Sequence, residues 1–165
     1  MAKRFAELMF SPAAKVMQAE AGSRDSYARL TAPGTPANDR FGAREREFLA
    51  ARDSFYMATV SANGWPYVQH RGGPPGFLRL LDDRTLSFAD RPGNRQFVSL
   101  GNLATDDRVS LILMDYPNRR RLKILGHARR VIDPGESTTG TMLVNLEGFD
   151  WNCPQYITPR YTEAE

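Results

Sequence analysis

The chain has 165 residues, 41% hydrophobic and 25% charged, an ordinary globular mixture of a size that suits one domain with one core. Lys+Arg exceed Asp+Glu by 22 to 19, a formal charge of +3 that suits an anionic partner without singling out nucleic acid. The lone Cys153 excludes an intrachain disulfide and fits a reducing compartment, and no apolar run approaches the roughly 20 residues of a membrane helix.

The N-terminal MAKRFAELMF is a poor signal peptide because Glu7 interrupts its apolar stretch, so a cytoplasmic protein is expected. Between Ala14 and Leu30, Val16, Met17, Ala21, Tyr27 and Leu30 recur at imperfect helical spacing broken by Gly22-Ser23, which predicts one or two short helices. Thr31 to Gly42, with two prolines and two glycines, reads as a loop or extended arm, and Ala43 to Arg52 as a short helix. We therefore expect an arm over residues 1–42 and a folded unit over 43–165.

From Ser54 the pattern becomes extended. FYMATV, the turn Ala62-Asn63-Gly64 and WPYVQHR predict a β-hairpin, and FLRLL, Asp82-Asp83-Arg84 and TLSFA predict a second. Asn94 to Leu103 places Phe97, Leu100 and Leu103 at helical spacing with Asn94 as a suitable N-cap. Val109 to Tyr116 is apolar at nearly every position, which predicts a strand covered on both faces. Arg119 to Val131 alternates, with Leu122, Ile124 and Gly126 on one side and Arg121, Lys123, Leu125 and His127 on the other. Pro134 to Glu147 is expected to be a helix, and DWNCPQYITPR an irregular tail. Five or six antiparallel strands with little room for crossover helices argue for a small barrel, and the apolar outer face of one strand argues for a second copy covering it.

Several residues carry candidate chemistry, each with an ordinary alternative. The turn ADRPGNRQ sets Asn94, Arg95 and Gln96 at an expected helix start, where backbone N–H groups and a guanidinium would hold a phosphate; a capped helix with a solvated Arg95 reads equally well. Arg71 precedes Gly72-Gly73, either a close approach for a ligand or simply the end of a strand. Arg121 and Lys123 put two cations on one sheet face, suited to the pyrimidine end of a reduced flavin or to solvent. His70 and His127, the only histidines, read as barrel residues, and no cluster has metal-ligand spacing. Cys153 lacks a triad partner, and the tail WNCPQYI offers an indole, amides and a phenol for a planar ring or for docking alone.

In order, DSFYMATVSANGWPYVQHRGGPPGF, LSFADRPGNRQFVSLGNL, DDRVSLILMDYPNRRRLKILGHARRV and NCPQYITPR resemble the pyridoxamine 5′-phosphate oxidase-like group of FMN-binding split-barrel proteins, in a bacterial branch with an NCPQYI-type tail. The resemblance spans about Arg52 to Arg160. It implies a mainly β fold with flanking helices, a six-stranded antiparallel split β-barrel of Greek-key type, homodimeric, with FMN at the seam.

By that resemblance His70, Arg71 and Gly72 line the flavin, Phe88, Ala89 and Asp90 offer backbone to its ribityl or ring, and Asn94, Arg95 and Gln96 hold its phosphate. Gln96 stands where true oxidases carry lysine, which leaves the phosphate to Arg95 and Arg71. Arg121, with Lys123 two residues on, would touch the flavin's polar edge, and Trp151, Asn152, Cys153 and Gln155 would come from the partner's tail. The Arg-x-His signature for pyridoxal phosphate is missing. The resulting expectation is an FMN-dependent oxidoreductase with a small-molecule substrate and no acid–base catalyst, taking hydride from NADH, NADPH or a small organic donor. The alternatives are a flavin or haem carrier without turnover and, weakest, a nucleic-acid binder, since the aromatics do not interleave with the basic residues.

Overall fold

The structure, a computed structural model, describes residues 2–91, 93–132, 139–151 and 153–163. Three short helices come first: α1 (Lys3–Met9), α2 (Pro12–Glu20) and α3 (Arg24–Ala28). Ser11 caps α2, its hydroxyl accepting from the Ala14 N–H at 3.2 Å, with Pro12 at the first helical position. In α1, Phe5 and Ala6 are buried and the Ala2 N–H donates to Asp150 Oδ1 at 3.0 Å, so the start of the chain is packed on the domain. Helix α4 (Ala43–Ala50) opens with the Gly42 N–H donating to Glu45 Oε2 at 3.0 Å.

The remainder is one antiparallel sheet of seven strands: β1 (Ser54–Val60), β2 (Pro66–Gly72), β3 (Arg79–Leu80), β4 (Thr85–Asp90), β5 (Arg108–Asp115), β6 (Arg120–Ile132) and β7 (Gly140–Trp151). The order across the sheet is β2-β1-β5-β6-β7-β4-β3, with α5 (Val98–Leu103) inserted between β4 and β5. The β1–β2 hairpin turns at Gly64, whose φ of 86° only a residue without Cβ adopts cheaply.

Two expectations need correction here. Among the described residues the strands number seven, not six, and residues 140–147 are strand where the sequence predicts a helix; residues 133–138 lie outside the described residues. The pattern from Thr141 to Glu147 has a period of two: Met142, Val144 and Leu146 are buried while Leu143, Asn145 and Glu147 face outward. Sandwiched between β6 and β4, this segment completes two ladders at once. In the second hairpin Arg79 and Leu80 form the ladder with β4, the Leu81 N–H donates to the Thr85 carbonyl at 2.9 Å, and Phe77 and Leu78 are irregular.

The inward rows form one core, with Phe55 and Met57 from β1, Leu86 and Phe88 from β4, Leu111 and Leu113 from β5, Leu122 and Ile124 from β6, and Met142 and Val144 from β7. Each large apolar side chain removed from water contributes about 1.5–3 kcal/mol. The alternation expected along β6 holds, with Leu122, Ile124 and Gly126 buried and Arg121, Lys123, Leu125 and His127 half-buried. On β5, however, Ser110, Ile112 and Met114 are only half-buried, so within one chain a single face of this strand is fully covered. The β5–β6 turn is held by buried Asp115, which accepts from Asn118 Nδ2 at 2.9 Å and from Arg120 Nη2 at 2.8 Å. Among the described residues no helix is long and apolar enough to cross a membrane.

Candidate functional site

The sheet's order leaves β2 and β4 on separate arms, and two adjoining cavities of about 260 and 610 Å³ lie between them. Both are lined by Arg71, Asp90, Arg91 and Gly93, so they form one cleft with two lobes. The larger lobe falls within the roughly 300–1,000 Å³ range of small-molecule sites.

Period-two geometry on β2 sends Tyr67, Gln69 and Arg71 into the smaller lobe and leaves Val68, His70 and Gly72 exposed on the other face. Arg71 Nη2 donates to Ser99 Oγ at 3.1 Å, and Ser99 in turn donates to Gln69 Oε1 at 3.1 Å, so the guanidinium is fixed by the buried face of α5. Burial holds the Arg71 pKa below the usual arginine value, partly offset by the charges of Asp90 and Tyr67. A positive group short of water and, among the described residues, without an ion-pair partner favours an anion beside it. Asp90 is engaged elsewhere, its Oδ2 lying 2.9 Å from Arg130 Nε.

The turn after β4 differs from its expected form. Helix α5 starts at Val98 rather than near Asn94, because Arg95 and Phe97 have φ of 58° and 55° and cannot belong to a right-handed helix. Asn94 therefore caps no helix; its Oδ1 accepts from the Gln96 N–H at 3.2 Å. Gly93, Arg95 and Phe97, at alternate positions, all have positive φ, a backbone that can turn successive N–H groups toward one point. Asn94, Arg95 and Gln96 line the smaller lobe with Arg71.

The structure thus brings nine of the fifteen candidate residues to this cleft: His70, Arg71, Gly72, Phe88, Ala89, Asp90, Asn94, Arg95 and Gln96. His70 sits at the larger lobe, its ring 5.5 Å from that of Tyr56. Of the others, Arg121, Lys123, Trp151, Cys153 and Gln155 do not line the cleft within one chain. Lys123 Nζ lies 5.6 Å from the Phe5 ring, and the buried Nε of Arg121 has no hydrogen-bond partner among the described residues. Trp151 Nε1 donates to Glu45 Oε1 at 2.7 Å beneath the Arg44 guanidinium and edge-on to Phe48, and Cys153 and Gln155 are exposed. Asn152 lies outside the described residues.

Sequence reasoning missed Gln69, Ser99, Arg79 and Arg91 as cleft residues. For Gln69 the signal was present, two positions before Arg71 on one strand. Ser99 could not be foreseen, since only the packing of α5 against β2 brings it there. Among the described residues no group of three or more His, Cys, Asp or Glu could hold a metal ion.

A sequence profile described as pyridoxamine 5′-phosphate oxidase matches residues 41–144, well over half of the chain. The chain belongs to this family. Solved structures agree on the split-barrel fold of the pyridoxamine 5′-phosphate oxidase family. A Lactobacillus delbrueckii protein classed with the pyridoxamine 5′-phosphate oxidases is 19% identical, with 68% of this chain and 94% of that one covered and a TM-score of 0.54. HupZ of Group A Streptococcus is 15% identical over 73% of this chain and 100% of its own, with a TM-score of 0.54. The haem storage protein HutZ of Vibrio cholerae is 15% identical over 67% and 94%, with a TM-score of 0.50. No curated protein matches the chain.

Proposed function

We propose that the protein is an FMN-binding flavoprotein of the pyridoxamine 5′-phosphate oxidase family and an oxidoreductase that works as a homodimer in the cytoplasm, drawing electrons from NADH, NADPH or a small organic donor. The observation that carries this reading is Arg71: its guanidinium is half-buried, fixed by Ser99, and faces a cleft whose other wall is the Asn94–Gln96 turn. A phosphate there would take charge-assisted hydrogen bonds from Arg71 and Arg95 and further donors from the Asn94 and Gln96 amides. His70, Gly72, Phe88, Ala89 and Asp90 would line the ribityl chain and ring in the larger lobe.

The dimer rests on the outer sheet face. Tyr56 and Val68 are 42% and 60% exposed and Ile112 is half-buried, an apolar patch on which a second copy would complete the burial. Arg121, whose buried Nε has no hydrogen-bond partner among the described residues, and Lys123 stand on the same outward face and would meet the flavin's polar edge across the seam. Trp151, Asn152, Cys153 and Gln155 would be contributed by the partner's tail. Bound FMN supplies the hydride and electron chemistry, so the chain's residues need only bind it, orient it and exclude water.

The test is an absorbance spectrum of the freshly purified protein with its mass in solution. A yellow dimer whose flavin bands bleach on adding NADPH or NADH supports the proposal; a colourless monomer that takes up no FMN at micromolar concentration ends it. The competing carrier reading, for flavin or haem without turnover, has His70 in the cleft as its candidate haem ligand. A Soret band, or a flavin that no donor bleaches, would favour it.

A further inference from the structure

The polar row on β2 is tied to α5 by hydrogen bonds that do more than hold Arg71. Thr59 stands in the inward row of β1 with Phe55 and Met57, and its buried Oγ1 accepts from Asn102 Nδ2 at 2.9 Å. Asn102 and Ser99, three positions apart, lie on one face of α5, so this buried contact also fixes Ser99 against β2.

Tyr67, Gln69 and Arg71 share the face of β2 that lines the smaller lobe. Gln69 Oε1 accepts two protons, from the Ser99 hydroxyl at 3.1 Å and from the Tyr67 hydroxyl at 3.3 Å. Ser99 itself accepts from Arg71 Nη2 at 3.1 Å, which turns its own proton away from Arg71 and toward Gln69. The direction of the network therefore assigns the amide oxygen of Gln69 to Ser99 and Tyr67. Among the described residues its amide nitrogen has no hydrogen-bond partner.

A glutamine free to turn its amide over accepts as readily as it donates. With its oxygen engaged twice, Gln69 can only donate to whatever occupies the lobe. Arg71 is likewise a donor only, and Asp90, the one carboxylate among the described residues lining this lobe, is paired with Arg130.

We infer that Gln69 is a further binding residue for the ligand's phosphate, its amide nitrogen donating beside the Arg71 guanidinium, with Ser99 and Tyr67 as positioning residues that lock it in the donating orientation. The inference rests on the cofactor reading, in which the phosphate of FMN occupies the smaller lobe. It adds a selection by hydrogen-bond direction: the wall formed by Gln69 and Arg71 takes an anionic oxygen and leaves the N–H of an amine or ammonium group without an acceptor.

The experiment titrates the flavin-free parent, Gln69→Met, Gln69→Glu and Tyr67→Phe with FMN and with riboflavin, followed by flavin fluorescence, with melting temperatures alongside. Met fills the space of Gln69 without its donors, and Glu keeps an acceptor for Ser99 and Tyr67 while replacing the donor by a second acceptor. Loss of a hydrogen bond to a charged group should weaken FMN about tenfold in Gln69→Met and further in Gln69→Glu, while riboflavin, which lacks the phosphate, changes by less than about twofold in both. Tyr67→Phe, which removes one of the two contacts holding the amide, should lower the ratio of FMN to riboflavin affinity by a smaller factor. Parent-like FMN binding in Gln69→Met or Gln69→Glu, or equal loss of both flavins, overturns the role of Gln69; an unchanged ratio in Tyr67→Phe overturns the lock. A parent that binds riboflavin as tightly as FMN ends the phosphate reading, and Gln69 with it. If the parent binds neither flavin, the cofactor reading fails by itself and inorganic phosphate decides Gln69: phosphate should raise the melting temperature of the parent and not of Gln69→Met, and an equal rise, or none in either, overturns the inference.

Discussion

Replacing Arg71 by Met removes the guanidinium from the smaller lobe while keeping most of the aliphatic stem. Ser99 and Gln69 remain bonded to each other at 3.1 Å, so the local packing of β2 against α5 should survive. The loss is then a charge-assisted hydrogen bond to phosphate, about 1.5–3 kcal/mol. That corresponds to a roughly 10- to 150-fold weaker Kd for FMN. The assay is titration of the flavin-free protein with FMN, followed by flavin fluorescence, with riboflavin in parallel. Riboflavin lacks the phosphate, so its affinity should be nearly unchanged in Arg71→Met and weaker than that of FMN in the parent. Equal loss for both ligands would refute the phosphate assignment, because the variant would then be acting through the shape of the cleft.

Arg95→Ala should lower FMN occupancy while leaving the dimer intact, as read by absorbance and light scattering; full retention of flavin would remove Arg95 from the site. Gly126→Ala should be strongly destabilising, because a Cβ there would run into the Asn145 carbonyl at the register shift between β6 and β7, and a thermal melt within a degree or two of the parent would contradict this. Ile124→Ala, fully buried in the core, should cost about 2–5 kcal/mol in urea unfolding. The fourth concerns Asp115, whose burial alone would raise its pKa but is outweighed by hydrogen bonds from Arg120 and Asn118 and by the charge of Arg52, for a net shift downward. A carboxylate with a depressed folded pKa stabilises above its unfolded value and loses that contribution as pH falls through the folded one. The stability gap between the parent and Asp115→Asn should therefore be constant near neutrality and shrink below the ordinary value of 3.8; a gap independent of pH down to acid unfolding would contradict the assignment.

The strand alternation, the Gly64 turn, the inward row of β6 and the family phrases were legible in the chain because each is a local pattern, set by period and turn chemistry among neighbours. Local pattern also marked Arg71 and the Asn94–Gln96 turn as candidates, and both line the smaller lobe of the cleft. It failed at residues 140–147, where Thr, Val and Leu can serve either a helix or a strand and only the open edges of β4 and β6 decide between them. It failed again at Asn94, since the positive φ of Arg95 and Phe97 moves the start of α5 to Val98. Ser99 under Arg71, and Arg79 opposite Ser87, lie 28 and 8 positions apart in sequence. Spacing within the chain carries no record of such meetings; they exist because a curled sheet brings its distant arms to one cleft, and burial there decides which charges keep a partner.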